Sequence, residues 1–90
     1  MVIAASPVIA INHAVALAEA IGPEAGLTQL ERAAVDEHLL DYQPYWAARA
    51  SLLERAGRTP EACDAYMRAA GLETDPAVRD YLMRRRAQLL

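Results

Sequence analysis

The amino-acid sequence predicts an all-α fold built of two helical hairpins and a closing helix, on three observations. Prolines at 7, 23, 44, 60 and 76 each head an alanine- and leucine-rich stretch of helix-forming length. Short motifs recur 36 or 37 residues apart, with Pro-Glu-Ala at 23–25 and 60–62 and Arg-Ala-Ala at 32–34 and 68–70. No stretch shows the two-residue alternation or the β-branched enrichment of a strand. Repeats with periods in the thirties are stacked helical hairpins, each unit burying its apolar face against the next.

Each element follows from its own punctuation. Proline suits the first turn of a helix, where the missing N–H has no intrahelical partner and the fixed φ is already helical. Ser6, Thr59 and Asp75 precede three of these prolines and are expected to be N-caps. Helix 1 should run from Pro7 to Ile21 and stop at Gly22. Helix 2 opens at Pro23-Glu24 and is expected to reach Glu37, closing a first hairpin over 7–37. His38 to Gln43 forms the longest connection. Helix 3 should run from Pro44 to Ala56, with Gly57 as the residue past its C-cap. Thr59-Pro60-Glu61 starts helix 4, which should end at Gly71 and close a second hairpin over 44–71. Asp75-Pro76 starts the terminal helix, 76–90. The whole chain, 1–90, reads as a single domain.

The second hairpin resembles a tetratricopeptide repeat. Trp46, Ala50 and Leu53 supply the large, small and large positions of its first helix, and Ala62, Tyr66 and Ala69 the matching positions of its second. Two helices approach closely only where side chains are short, which is why small residues recur at this spacing. Thirty-six residues earlier the same frame holds Ala10, Ala14 and Leu17, then Gly26, Leu30 and Ala33. Arg49 stands where that pattern prefers leucine. The expected repeat core is thus Ala14, Leu17, Leu30, Trp46, Ala50, Leu53, Ala62, Tyr66 and Ala69, with Trp46 packed between the helices of its hairpin.

Composition narrows the function. Hydrophobic residues make up 54% of the 90, but Phe is absent and Trp46 is the one tryptophan, so stability must come from many small helix–helix contacts. The formal net charge is −3 with all nine basic residues arginine, which argues against a nucleic-acid-binding domain. Cys63 is the single cysteine, so the chain can hold neither an internal disulfide nor a cysteine-based zinc site, and a cytoplasmic setting is expected. Residues 1–21 are apolar, yet no basic segment precedes them, Pro7 interrupts them, and Asn12, His13 and Glu19 lie inside. Neither a signal peptide nor a membrane span is expected there.

The chemistry-bearing residues point away from catalysis. No glycine-rich phosphate loop, Ser-His-Asp order or carboxylate pair is present, and no carboxylates stand at ligand spacing from His13 or His38. Cys63 lacks a general base one helical turn away and reads as a small buried hydrophobe. No metal or cofactor is called for. Arg84, Arg85 and Arg86, with Arg79 and Arg68, read as a solvated face that also complements the helix dipole, with a phosphate or acidic-partner patch as the alternative. The candidate interaction surface is Asn12, Val15 and Glu19 on helix 1, Ala47 and Ser51 on helix 3, and Tyr42 and Tyr45 beside them.

Several segments in order resemble one family more closely. They are Ser6-Pro-Val-Ile-Ala-Ile-Asn-His-Ala-Val-Ala-Leu-Ala-Glu19, Gly22-Pro-Glu-Ala-Gly-Leu27, Tyr42-x3-Trp46-Ala-Ala-Arg-Ala-x-Leu-Leu-x-Arg-x-Gly-Arg58, Ala62-x3-Tyr66-x-Arg-Ala69 and Tyr81-Leu-x-Arg-Arg-x-Ala-x-Leu89. Together they resemble the tetratricopeptide-like C-terminal extension of bacterial extracytoplasmic-function RNA polymerase sigma factors. His13 departs from the arginine expected after Asn12.

The resemblance implies a regulatory protein-interaction domain that modulates transcription initiation, contacting other regions of the same sigma factor or a regulatory protein. It implies that core polymerase and promoter DNA are bound by preceding regions, and leaves open whether Met1 is the native first residue. Two other readings stand beside it: a small-ligand-sensing helical domain using Tyr42, Tyr45 and Trp46, and a stand-alone adaptor unrelated to transcription. Helix 1 carries Val8, Ile9, Ile11, Val15, Leu17 and Ile21 nearly all round its wheel, so a homodimer through helix 1, with Val2 and Ile3 beside it, is also expected.

Overall fold

The computed structural model describes residues 6–35 and 37–90 and is all-α. Its helices are α1 (Pro7–Ala20), α2 (Pro23–Ala33), α3 (Gln43–Arg55), α4 (Thr59–Leu72) and α5 (Pro76–Leu89), with one 3₁₀ turn at Glu37–Asp41 between α2 and α3. The expected contacts of Val2 and Ile3 fall outside the described residues.

Local chemistry fixes most boundaries. The Ser6 hydroxyl accepts from the Ile9 amide at 3.2 Å, and the Asp75 carboxylate accepts from the Ala77 amide at 2.9 Å, so both act as N-caps. Gly57 has φ +78°, a left-handed conformation open to glycine. Around it the Arg58 amide donates to the Leu53 carbonyl and the Gly57 amide to the Glu54 carbonyl, the double closure of a Schellman motif.

Several boundaries differ from the sequence expectation, and α1, α3 and α5 each end one residue early, at Ala20, Arg55 and Leu89. The α2 helix stops at Ala33 rather than Glu37, because Leu39 must turn inward, where it is buried. Thr59 is the first helical residue and Arg58 holds the N-cap position, since the Schellman closure at Gly57 leaves no further residue between α3 and α4. Helix α4 runs through Gly71 to Leu72, and α3 begins one residue before Pro44.

α1 pairs with α2 and α3 with α4, the two most extensive packings; α5 then lies on α4. The whole measures 44 × 29 × 17 Å, and 17 Å is the depth of two helix layers packed ~8–10 Å apart. The repeat frame holds in the core. Ala14, Leu30, Ala50, Leu53, Ala62, Tyr66 and Ala69 are all buried, and Leu17 is half-buried.

Trp46 differs from its expected place. It is half-buried at the rim, its Nε1–H donating to the Leu40 carbonyl at 2.8 Å and the Arg68 guanidinium lying 4.9 Å over its ring. The fully buried aromatic of α3 is its neighbour Tyr45, whose ring meets Trp46 edge-on at 5.0 Å. Tyr45 therefore leaves the expected surface set and joins the core: residues i and i+1 lie ~100° apart on a helix, and it is position 45 that turns toward the first hairpin.

The two hairpins interlock at Gly26. A Cβ at residue 26 would lie 2.7 Å from the Ala14 carbonyl oxygen and 2.9 Å from both Ala18 Cβ and Leu52 Cδ1. Only glycine lets α1, α2 and α3 meet this closely.

Candidate functional site

Two surfaces emerge from this packing. On the first, α3 is tied to α1 by Arg55–Glu19 at 3.3 Å and to α5 by Arg85–Glu54 at 2.7 Å. Of the expected interaction residues, Glu19 takes part in these links. Asn12, Val15, Glu19 and Ser51 are exposed and Ala47 is half-buried. Tyr42 is also half-buried, but it packs against the core cluster rather than standing free. The outer side of α1 carries Val8 and Ile9 at 53% and 60% exposure, so the helix is covered on one side only.

The second surface is an open groove of about 410 Å³ between α2 and α4, floored by α3. Tyr45, Trp46 and Leu53 form its apolar floor, and Ala34 and Ala65 its walls. Glu31, Glu61, Asp64, Arg49 and Arg68 supply its polar edge. Arg49 reaches Glu31 at 3.7 Å, and Arg58 clamps Glu61 at 2.7 Å while also touching Glu24 at 3.3 Å. The Arg58 hydrogen bond holds the Glu61 carboxyl below its ordinary range. Burial pushes the Tyr45 hydroxyl above its usual value, against the opposing pull of Arg49. Sequence reasoning found the aromatics of this groove but not its charged rim, whose members come from three helices.

The arginines of α5 are partly consumed inside the chain. Arg85 donates to both carboxylate oxygens of Glu54, Arg84 approaches Asp80 at 3.6 Å, and Arg79 bonds the Glu73 carbonyl. Cys63 is buried. Among the described residues, no three His, Cys, Asp or Glu side chains are grouped to hold a metal ion, and no helix is long and apolar enough to cross a membrane.

No family model and no solved structure matches the chain. The chain is similar to an uncharacterized protein of Rhizobium meliloti (strain 1021), with 39% identity over 77 residues. The match covers 86% of this chain but 18% of the relative, so the chain spans less than a fifth of that protein's length.

Proposed function

We propose that this chain is a regulatory protein-interaction domain at the C-terminus of a bacterial extracytoplasmic-function sigma factor. It modulates transcription initiation without catalysis, and its setting is cytoplasmic. The observation that carries the reading is the ordered series of segments from Ser6 to Leu89, together with the small-residue frame that packs the hairpins they fall on. The relative in which this stretch is a minor part of a longer chain fits the same reading. Other regions of the sigma factor, or a regulatory protein, would meet the surface of Asn12, Val15, Glu19, Ala47 and Ser51. Polymerase and promoter contacts belong to the preceding regions. The fragment alone pairs through α1.

The test is reconstituted transcription with core polymerase and the full-length parent protein, intact or lacking residues 6–90. Removal should change promoter output by about tenfold, the scale of a regulatory coupling, while core binding persists. Unchanged output, or a parent protein that does not bind core polymerase, would sink the reading.

The groove over Tyr45 and Trp46 favours a second reading, a domain that senses a small ligand. A thermal-shift screen of metabolites separates the two, because only a ligand sensor is stabilised by a small molecule alone.

A further inference from the structure

Burial and pairing disagree at one residue. Among the described residues five arginines form ion pairs, and Arg49 is the most buried of them. Its side chain is 19% exposed, against 35% to 69% for the others. Its pair is also the longest, with the Glu31 carboxylate at 3.7 Å, beyond hydrogen-bond length. A guanidinium withdrawn from water ordinarily has the better partner, because its lost hydration must be replaced. Arg49 instead lines the groove between α2 and α4. The Tyr45 hydroxyl stands beside it, near enough for Arg49 to pull against the rise that burial gives that group. Arg85, 36 residues further on, shows how such a pair of donors is satisfied elsewhere in the chain. There one Glu54 carboxylate accepts from Arg85 at 2.7 and 2.8 Å and from the Tyr66 hydroxyl at 2.8 Å. Around Arg49 and Tyr45, no described carboxylate comes that close to the guanidinium.

We propose that the groove binds a small carboxylic acid with a flat apolar body. Its carboxylate is taken by the Arg49 guanidinium and the Tyr45 hydroxyl, and its body lies against Trp46, Ala34 and Ala65. The inference rests on the second reading above, a ligand-binding groove, and adds the chemistry of the ligand. About 410 Å³ suits a molecule of this size. A planar guanidinium receives a carboxylate through two parallel bonds, which its present partner does not form. Glu31 is 56% exposed at the end of a long pair, so it gives way at little cost. The other carboxylates of the groove have cations of their own. Arg58 clamps Glu61 at 2.7 Å, and Asp64 stands one helical turn from Arg68 on α4. Residue 49 is also where the repeat pattern prefers leucine, so a charge occupies a position that packing alone would fill with hydrocarbon.

The test is an NMR titration of the isotope-labelled 90-residue chain at neutral pH with para-toluate. Para-toluamide and para-methylbenzylammonium, neutral and positive molecules of similar shape, are the controls. Trp46 is the single tryptophan, so its indole N–H gives one signal inside the groove. Para-toluate should shift that signal and the amides of Tyr45 to Arg49 saturably. Both controls should bind about tenfold more weakly or worse, the loss expected when a charged hydrogen bond is removed. Arg49→Leu should abolish the para-toluate response while the melting temperature holds or rises, because fitting hydrocarbon replaces a poorly paired charge. If Arg49→Leu disturbs the fold, Arg49→Lys keeps the charge without the fork and should weaken binding several-fold. Equal binding of all three compounds would overturn the carboxylate anchor while leaving a ligand-binding groove. No saturable shift at Trp46 with para-toluate would overturn the proposal, and the metabolite screen would then decide the second reading by itself. Para-toluate shifts that survive Arg49→Leu would also overturn it.

Discussion

Arg85 and Glu54 lie 31 residues apart in sequence, yet the Arg85 Nη2 donates to both Glu54 carboxylate oxygens, at 2.8 and 2.7 Å. The Tyr66 hydroxyl donates to the same Glu54 Oε1 at 2.8 Å. One carboxylate on α3 thereby holds a residue of α4 and a residue of α5. This matters because Leu82 is the one fully buried side chain of α5, so little apolar contact holds the helix in place. Glu54→Gln keeps the shape but loses the charge that makes such bonds short and strong. We expect amide exchange across 76–89 to quicken several-fold in that variant while α1 to α3 hold their protection. Equal quickening in every helix, or none, would show that Arg85 does not fasten α5.

The same cluster predicts an alkaline limit to stability. Burial, chiefly, raises the Tyr66 and Tyr45 hydroxyls above the ordinary tyrosine value of 10.0. For Tyr66 the Arg85 hydrogen bond opposes that rise and Glu54 adds to it. The folded state therefore holds its phenolic protons more tightly than the unfolded state does. This contribution is complete below the unfolded value and fades as pH rises toward and through the folded values. The melting temperature should fall above pH 10, and Tyr66→Phe should flatten that fall. An absorbance titration of the phenolates locates the two steps. A melting temperature flat through strongly alkaline pH would contradict the assignment.

Glycines 26 and 71 should respond to alanine with opposite signs. At residue 26 the new methyl meets backbone oxygen, Ala18 and Leu52 at once, so Gly26→Ala should cost about 1–3 kcal/mol or more by overpacking. At residue 71, inside the last turn of α4, nothing lies within 4 Å of the new methyl. Gly71→Ala should add about 0.5–1 kcal/mol, because it removes freedom from the unfolded chain without strain. Chemical denaturation of the pair measures both. A neutral Gly26→Ala would mean that α1, α2 and α3 are not so closely joined.

Much of this architecture is legible in the sequence. The prolines mark five helix starts within a residue, and the 36-residue spacing of small and large residues places both hairpin cores. Other features depend on partners far along the chain. Nothing local distinguishes Tyr45 from Trp46 as the inward aromatic; the choice is made by the first hairpin, which covers position 45. Glu54 has ordinary helical neighbours and gains its role only when α5 folds back. The charged rim of the groove is drawn from α2, α3 and α4 together. Gly26 reads as one more small position, and the approach of Leu52 that makes it indispensable is a tertiary fact.

The exchange of roles between Tyr45 and Trp46 changes the ranking of core substitutions. Leu53 is completely buried, so Leu53→Ala should cost about 3–5 kcal/mol. Trp46 is only partly buried, and Trp46→Ala should cost about 1–3 kcal/mol, less than the loss of a fully buried tryptophan. Part of that cost is the Leu40 carbonyl left without its donor. Denaturation midpoints of the two variants test the order. A Trp46→Ala chain less stable than Leu53→Ala would return the tryptophan to the centre of the core.

The uncovered side of α1 bears on the state of the isolated chain. Ile11, Ala14 and Ala18 face inward, while Val8, Ile9 and Val15 stand exposed on the other side with Ile21 just past the helix end. The polar residues of the helix are only Asn12, His13 and Glu19, and Glu19 is already engaged by Arg55. A helix apolar on two sides gains from burying both. Two copies meeting through α1 would bury the second side by a self-complementary, two-fold contact. Sedimentation should show a concentration-dependent dimer, and Ile9→Glu should return it to monomer without lowering the melting temperature of the subunit. A chain that stays monomeric at the highest attainable concentration, or a dimer that Ile9→Glu leaves intact, would remove α1 as the contact.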